Sequence, residues 1–342
     1  MRILLIMDPG IPIPPKGYGG IERIVALLAI EYQSRGFVVD ILASEGSHIE
    51  KCNIYFNGKE GFPASKLVYL FAVFKTWFFL FKRRKNYDFI QNFGRLQYLL
   101  PILNSSVVKV MCYQREITRR NIQIFNYLPN KNLFFSGCSL DLVKRANAPG
   151  KWHDVHNGID FSKFEFNDLD SEESPLVFLG RLERIKGCHT AIKVAKTTGN
   201  VLLIAGNKST LPHEIEYFEN EIKPHIDEVQ IKYIGEVNDV EKNKLLRSSK
   251  ALLMPIEWDE PFGIVMIEAM ACGTPVIAFK KGSVDEVIDQ NITGYKVENI
   301  DEMVNSIRKI GEINRFICHS LAKERFGINI IASKYLSIGS II

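Results

Sequence analysis

Short apolar runs alternate with amphipathic helical patterns along this chain. In its first half, apolar runs at residues 2–7, 37–43, 88–92, 107–112 and 131–136 predict β-strands. Residues 21–35 repeat apolar side chains at helical spacing and stop at Gly36, which predicts a helix between the first two strands. Repeated strand–helix units are typical of a parallel, doubly wound sheet.

A second series of strands and helices follows the polar stretch 162–174. Its strands are predicted at 176–180, 201–205, 229–234, 250–254 and 275–279, and its helices at 188–197, 213–223, 239–249 and 263–271. The fold class expected is α/β, with two Rossmann-like domains facing each other across a cleft. Ligands of open α/β sheets bind at the carboxyl ends of the strands, so the chemistry should lie in that cleft.

Length, charge and cysteine content narrow the class of protein. The 342 residues exceed the roughly 250–300 at which single cores stop growing, which supports two domains. A net charge of +4 is too small to indicate a nucleic-acid partner. The six cysteines show no Cys-x-x-Cys pair, and the first apolar run is too short for a signal peptide. We therefore expect a reduced, cytoplasmic compartment.

Three loops at strand ends carry candidate binding residues. The first, 12–22, contains Gly19 and Gly20 ahead of the first helix, where glycine lets the backbone approach a ligand. Glycines at such a turn most often serve the turn itself, so this signal alone is weak. The second, 180–187, places Arg181 and Lys186 between two glycines, a pair suited to neutralising a diphosphate without a metal.

The third loop is the most informative. Glu260 precedes the helix predicted over 263–271, and Glu268 lies inside that helix. Free backbone N–H groups at a helix start can hold a phosphate, and a carboxylate can accept both hydroxyl hydrogen bonds of a ribose. The positions predicted to offer those N–H groups are Phe262, Gly263, Ile264 and Val265. Together these groups suit a sugar nucleotide.

These loops also carry a family resemblance. The motifs are Gly-Gly-x-Glu at 19–22, Val-His-Asn-Gly-Ile-Asp at 155–160, Gly180-Arg181 with Lys186-Gly187, and the run 260–276. Their combination resembles the retaining glycosyltransferases of family four, also called glycosyl transferases group 1, most specifically over residues 175–300. The resemblance implies the GT-B fold: an N-terminal acceptor-side domain at 1–158, a nucleotide-sugar domain at 159–320, and a helix at 321–342 that crosses back.

The resemblance also implies an activity. Such an enzyme moves a sugar from a nucleotide-diphosphate sugar, of UDP or GDP type, to an acceptor hydroxyl with retention of configuration. It uses no cofactor and no metal. Arg181 and Lys186 would stabilise the leaving diphosphate and Glu260 would contact the transferred sugar, forming the catalytic set. Glu268 would bind the ribose, and the loop around Ile234 would bind the base.

The acceptor and the pathway are less constrained by the sequence. A glycan, a lipid-linked molecule or a small molecule would each provide a hydroxyl, as in cell-surface polysaccharide or glycolipid synthesis. Many relatives carry a histidine that touches the donor sugar after the strand 107–112, and this chain has Tyr113, Gln114 and Arg115 there instead. His153 and His156 lack further ligands nearby, so we predict no metal site.

The segment 67–85 allows two interpretations. It is rich in aromatic residues, is shorter than the ~20 residues needed to span a bilayer, and ends in four consecutive cations. It is either a helix packed on the first sheet or an interfacial helix that places the enzyme on the inner face of a membrane.

Two other functions would use the same scaffold. A sugar-nucleotide epimerase would convert the donor without an acceptor, and a non-catalytic protein would only bind it. A dinucleotide-dependent oxidoreductase requires Gly-x-Gly-x-x-Gly, which the glycine spacing at 17–20 does not provide.

Overall fold

The computed structural model describes residues 1–17, 19–61, 65–168 and 173–339. These residues form two compact units. The first is Met1–Ile159 together with the segment that begins at Ile328, and the second is Asp160–Gly327. Tyr18 of the predicted glycine loop, residues 169–172 of the predicted polar linker and the last three residues of the predicted return helix lie outside the described residues.

The first unit is built on a parallel sheet. Its described strands are β1 (Arg2–Ile6), β2 (Val38–Ser44), β3 (Asn53–Gly58), β4 (Phe89–Asn92), β5 (Val108–Tyr113), β6 (Leu133–Gly137) and β7 (Trp152–Asp154). They are ordered β3-β2-β1-β4-β5-β6-β7. Residues 3–6 of the central strand β1 are fully buried, which explains their continuous apolar run.

Four helices of the first unit connect these strands. They are α1 (Gly20–Ser34), α2 (Lys66–Arg83), α3 (Arg119–Tyr127) and α4 (Leu140–Ala146). Helix α1 lies where the sequence predicts it, and α2 covers most of the aromatic segment 67–85. Within the described part of the chain, no helix has the length and apolar character needed to cross a membrane.

The second unit has its own parallel sheet. Its strands are β8 (Leu176–Leu179), β9 (Leu202–Ala205), β10 (Ile231–Gly235), β11 (Ala251–Met254), β12 (Val276–Phe279) and β13 (Gly294–Val297), ordered β10-β9-β8-β11-β12-β13. Its helices are α5 (Cys188–Thr198), α6 (Pro212–Tyr217), α7 (Asp239–Arg247), α8 (Ile264–Ala271), α9 (Val284–Val287), α10 (Ile300–Lys309) and α11 (Arg315–Phe326). The helix predicted over 213–223 is α6 followed by a wider π-helical turn.

Both sheets have the Rossmann strand order, so the prediction of two Rossmann-like α/β domains is confirmed. The three strands that the apolar pattern did not predict, β3, β7 and β13, are all at sheet edges. An edge strand is covered less completely than a central one and needs no continuous apolar run. The sequence signal is correspondingly weak there.

The chain returns to the first unit through a last helix, α12 (Ile328–Ser337). The Ile328 N–H donates to the Ile159 carbonyl at 2.9 Å, and Tyr335 is buried in the first unit. The return was predicted from residue 321, which falls inside α11. That helix stays with the second unit because its Cys318, Ala322 and Phe326 side chains are buried there.

Candidate functional site

A pocket opens in the second unit where β8 and β11 end. These neighbouring strands flank the point at which the strand order reverses, the usual binding position in such sheets. Its empty volume, including the part open to solvent, is about 630 Å³. The lining residues are Phe178, Leu179, Gly180, Arg181, Lys186, Leu252, Leu253, Met254, Ile256, Glu260, Gly263, Ile264 and Val265.

Backbone contacts that only glycine permits bring the loops of this pocket together. Gly187 has φ 74°, and a Cβ there would lie 1.9 Å from the Pro255 carbonyl oxygen. Next to this contact, the Glu257 N–H donates to the Ile185 carbonyl at 2.8 Å. The loop after β8 is thereby fixed against the loop after β11, which sets Lys186 beside the residues that follow β11.

Lys186 and Glu260 form the charged centre of the pocket. The Lys186 Nζ lies 2.5 Å from Glu260 Oε2, and the two side chains are 18% and 12% exposed. The Trp258 indole N–H donates to the same Oε2 at 3.1 Å, and Lys186 Nζ lies 4.9 Å from the centre of the Trp258 ring. The Glu260 carboxylate is therefore held by two donors and keeps one oxygen for other partners.

Arg181 is the more open of the two predicted cations. Its Nη1 lies 2.5 Å from Glu183 Oε1, and its side chain is 44% exposed while that of Glu183 is 11% exposed. This pair orients the planar guanidinium fork of Arg181 at the edge of the pocket.

The start of α8 forms the wall of the pocket opposite these cations. Gly263 adopts a left-handed φ of 76°, and a Cβ there would lie 2.8 Å from the end of Met266. The Ser283 hydroxyl donates to the Phe262 carbonyl at 2.8 Å, and the Ser283 N–H donates to the Glu260 carbonyl at 3.0 Å. The first N–H groups of a helix have no acceptor within it, and this support aims the helix start at the pocket.

Glu268 lies further along α8 and pairs with a cation from α7. Its Oε1 is 2.5 Å from Lys242 Nζ, and the side chains of Glu268 and Lys242 are 14% and 15% exposed. Lys242 Nζ also approaches Asp239 at 3.3 Å. Glu260 and Glu268 therefore belong to two separate ion pairs, and Glu268 is not among the residues that line the pocket.

The remaining predicted residues are placed as follows. Phe262 is 2% exposed and packs edge-to-face on Phe326, so its ring supports the helix start and does not line the pocket. Ile234 is the last residue but one of the edge strand β10 and is 43% exposed, again outside the pocket lining. Gly19 and Gly20 belong to the first unit, where Gly19 directly precedes α1. Their predicted roles stay predictions.

The first unit carries its own charged group where β1 and β4 end. Asp8 accepts a hydrogen bond from the Tyr98 hydroxyl at 2.9 Å, and both Arg95 and Arg115 come within 3.8 Å of its carboxylate. Burial raises the pKa of Asp8, and these three partners oppose the increase. Burial likewise raises the pKa of Glu22. Arg115, one of three residues at the position of the relatives' histidine, thus contacts a buried carboxylate.

A histidine, His189, lies in the first turn of α5, directly after the loop that carries Lys186. His189 Nε2 is 3.0 Å from Glu257, and its Nδ1 is 2.9 Å from the Tyr217 hydroxyl. Burial lowers the pKa of His189; the nearby Arg184 acts in the same direction, and Glu257 opposes both. No group of three or more His, Cys, Asp or Glu side chains among the described residues is placed to hold a metal ion.

Sequence reasoning missed three partners of the predicted residues: Glu183, Trp258 and Lys242. Glu183 and Trp258 stand two positions from Arg181 and Glu260, so their proximity was a usable signal. Lys242 stands 26 positions before Glu268, and only the packing of α7 beside α8 brings it there.

Comparison with known proteins points to one family. The sequence model of the family described as "Glycosyl transferases group 1" matches residues 160–329. Glycogen synthase of Mycobacterium tuberculosis is 30% identical over 147 residues, which are 41% of this chain and 34% of that protein. The chain spans between 34% and 48% of the length of the curated relatives it matches.

Solved glycosyltransferase structures share the fold of the whole chain. A glycosyltransferase from Rickettsia africae has a TM-score of 0.78 and 18% sequence identity, over 98% of this chain and 97% of that one. Anabaena HepE, solved in complex with UDP and glucose, has a TM-score of 0.73 and 17% identity over the full length of both chains.

Proposed function

Because residues 160–329 belong to the glycosyl transferases group 1 family, we propose that this protein is a retaining glycosyltransferase that uses a nucleotide-diphosphate sugar. One observation carries the proposal. Arg181, Lys186 and Glu260 lie in one pocket at the start of α8, at the position where an α/β sheet binds its ligand. The chemistry of each group suits a sugar nucleotide.

The diphosphate is the part of the donor that this pocket suits best. The positive end of the α8 dipole and the N–H groups of Gly263, Ile264 and Val265 favour an anion. Arg181 adds a planar fork and Lys186 a mobile ammonium. These groups supply positive charge from the protein itself, so we propose a reaction without a catalytic metal.

Lys186 would change partner during the reaction. In the structure it is paired with Glu260. We expect it to move to the leaving phosphate when the donor binds, while the Trp258 N–H keeps Glu260 oriented towards hydroxyls of the transferred sugar. The bond between the sugar anomeric carbon and the phosphate oxygen breaks. The acceptor oxygen bonds to that carbon from the same face, and its proton passes to the leaving phosphate.

The rest of the donor would extend from this pocket. Glu268 would accept both hydroxyl hydrogen bonds of the ribose, with Lys242 holding its second oxygen. The exposed Ile234 would pack against the base. HepE, which shares this fold, was solved with UDP and glucose, and the nucleotide proposed for this chain is of UDP or GDP type.

The acceptor is a hydroxyl of a glycan, a lipid-linked molecule or a small molecule, and the proposed setting is cell-surface polysaccharide or glycolipid synthesis. Six cysteines are free, in keeping with a reduced cytoplasmic compartment. A lipid-linked acceptor would bring the enzyme to the inner face of a membrane.

Nucleotide binding is the first test of this proposal. The unfolding of the protein is followed by thermal shift with UDP, GDP and their sugars. A ligand at 100 times its dissociation constant should add about 2.7 kcal/mol to the free energy of unfolding. Arg181→Ala should lose the UDP shift, and Lys193→Ala, which removes an exposed cation of α5, should retain it. The absence of a shift with every nucleotide would refute the donor site.

Product analysis then identifies the reaction. With a donor and an acceptor, the glycosyltransferase releases nucleoside diphosphate and forms a product whose anomeric configuration, read by NMR, matches the donor. Activity should persist after chelation with EDTA. A new sugar nucleotide formed without any acceptor would identify an epimerase, and binding without turnover against a broad acceptor panel would indicate a non-catalytic protein.

A further inference from the structure

Helix α2 presents an apolar face to solvent in the first unit. Six of its large apolar side chains are between 52% and 67% exposed. They are Leu67, Leu70, Phe71, Phe74, Phe78 and Phe81. Scattered exposed apolar residues are ordinary, but a contiguous row of this size on one helix indicates an interaction surface.

The spacing of these residues places them on one side of the helix. At 100° per residue, the six fall within an arc of about 100°, and they extend over ~21 Å of the helix axis. The opposite side is the one that packs, because Ala72, Thr76 and Leu80 are fully buried. The apolar row is therefore additional to the stripe that attaches α2 to the first unit.

Positive charge borders this row. Lys75 and Lys82 lie beside it on the helical projection, and the Lys82 Nζ sits 4.2 Å from the centre of the Phe78 ring. Just after α2, Arg84 lies 5.3 Å from the Phe81 ring and Lys85 is exposed. Between residues 61 and 87 the sequence contains six cations and no Asp or Glu.

We propose that this face, named here the α2 surface and comprising the six apolar residues with Lys75, Lys82 and Lys85, binds the surface of an anionic lipid bilayer. An interfacial helix inserts its apolar row below the headgroups while the bordering cations contact lipid phosphates. Phe and Leu side chains are typical of the apolar face of such a helix. The α2 surface carries both features, and neither alone would hold a protein on a membrane.

A second copy of the chain fits this surface less well. In a symmetric dimer each α2 surface would face its copy, and the bordering cations of both would be brought together with no acidic residue of the segment to offset them. Anionic lipid supplies the missing negative charge. The α2 surface lies on the first unit and the donor pocket on the second, and lipid binding requires no sugar donor, so it can be tested apart from the proposed glycosyl transfer.

Vesicle flotation of the full-length protein tests the proposal without any sugar donor. The protein should float with vesicles of phosphatidylcholine containing 30% phosphatidylglycerol and remain at the bottom with phosphatidylcholine alone. Each cation near an anionic surface contributes roughly fivefold in affinity, so Lys75→Gln/Lys82→Gln/Lys85→Gln should weaken binding by about two orders of magnitude. Raising the salt concentration should weaken wild-type binding in the same direction.

The apolar row and the controls are tested in the same assay. Phe71→Gln/Phe78→Gln should abolish flotation. Two matched variants in the second unit should float like wild type: Lys193→Gln/Lys244→Gln/Lys323→Gln for charge and Val229→Gln/Val240→Gln for exposed apolar area. Circular dichroism and thermal unfolding establish that each variant is folded.

A site-specific readout separates lipid insertion from mere attraction. Lipids brominated in the acyl chain should quench a larger fraction of the Trp fluorescence in a Phe78→Trp variant than in the wild type, which has three tryptophans of its own. A Val240→Trp variant should show no such increase over the wild type. Wild-type protein that fails to float, or a triple-Lys variant that floats unchanged, would overturn the proposal. So would a wild-type dimer in light scattering that Phe71→Gln/Phe78→Gln converts to a monomer, because the surface would then be a dimer interface.

Discussion

Replacing Lys186 by methionine separates its two proposed roles, holding Glu260 in the free protein and stabilising the leaving phosphate in the reaction. The substitution keeps an unbranched side chain that is one atom shorter and removes its charge. In the structure it leaves the Glu260 carboxylate, 12% exposed, with the Trp258 N–H as its remaining donor. A fully buried pair broken in this way costs 3–5 kcal/mol. This pair is partly exposed, so we expect a loss of about 1–3 kcal/mol in the free energy of unfolding.

The effect on turnover should be larger and should have a different origin. Removing one donor to the charge that develops in a transition state costs about 2.7–4 kcal/mol, or 10²–10³ in kcat. Stability is measured by urea denaturation and turnover by release of nucleoside diphosphate. In Lys186→Met/Glu260→Gln the unpaired carboxylate is gone, so stability should return towards wild type while turnover stays low. Lys193→Met, at an exposed position of α5, is the matched control and should change neither quantity.

Two outcomes would refute this reasoning. A Lys186→Met enzyme with kcat within tenfold of wild type would exclude Lys186 from the transition state. Recovery of turnover in the double variant would show that Lys186 acts only by holding Glu260.

Three further predictions concern the second unit. Gly187→Ala should lose about 1–3 kcal/mol of stability and most of the activity, because its Cβ would lie 1.9 Å from the Pro255 carbonyl oxygen. The control is Gly199→Ala, which has a similar φ of 71° but no atom within 4 Å of the added Cβ. It should lose only about 1 kcal/mol and remain active in the same denaturation and turnover assays. Glu268→Gln should weaken UDP binding about tenfold or more by calorimetry, because charged hydrogen bonds to the ribose are lost. An unchanged dissociation constant would show that Glu268 does not bind the ribose. The lowered pKa of His189 means that the folded state favours the neutral imidazole, a contribution to stability that is present above the ordinary pKa of 6.5 and lost as the pH falls below it. The free energy of unfolding of the wild type should therefore fall more than that of His189→Asn between pH 7.5 and 5.5. Parallel plots of unfolding free energy against pH for the two proteins would contradict the assignment.

The order of strands and helices could be predicted from the sequence wherever burial is complete. Central strands such as β1 and β11 are covered on both faces, so each must be a continuous apolar run, and such runs are visible without a structure. The edge strands β3 and β7 are only partly buried and lack a continuous apolar run, and β13 is a four-residue strand that contains Lys296, so the apolar pattern did not indicate these three. The return helix, expected from residue 321, begins at Ile328, since the burial of Phe326 in the second unit depends on long-range packing.

The candidate site divides in the same way. Its loops were visible because glycines and charged residues directly follow strand ends, and six of the predicted positions do line one pocket: Arg181, Lys186, Glu260, Gly263, Ile264 and Val265. The partner of each charge was not visible in the same way. Glu260 and Glu268 are both predicted to bind the donor, and packing of α7 beside α8 gives Glu268 its own partner, Lys242, which the sequence did not indicate.

The sequence by itself determined which residues stand at the strand ends of two Rossmann-like domains, because hydrophobic periodicity and glycine placement are local properties of the chain. Tertiary structure decided which charges meet and which apolar residues remain in solvent. Lys186 pairs with Glu260, which stands 74 positions later in the chain. The apolar row of the α2 surface could have been buried or exposed with the same sequence pattern. Ion-pair geometry and burial depend on distances between elements, and those distances exist only once the sheets and helices have packed.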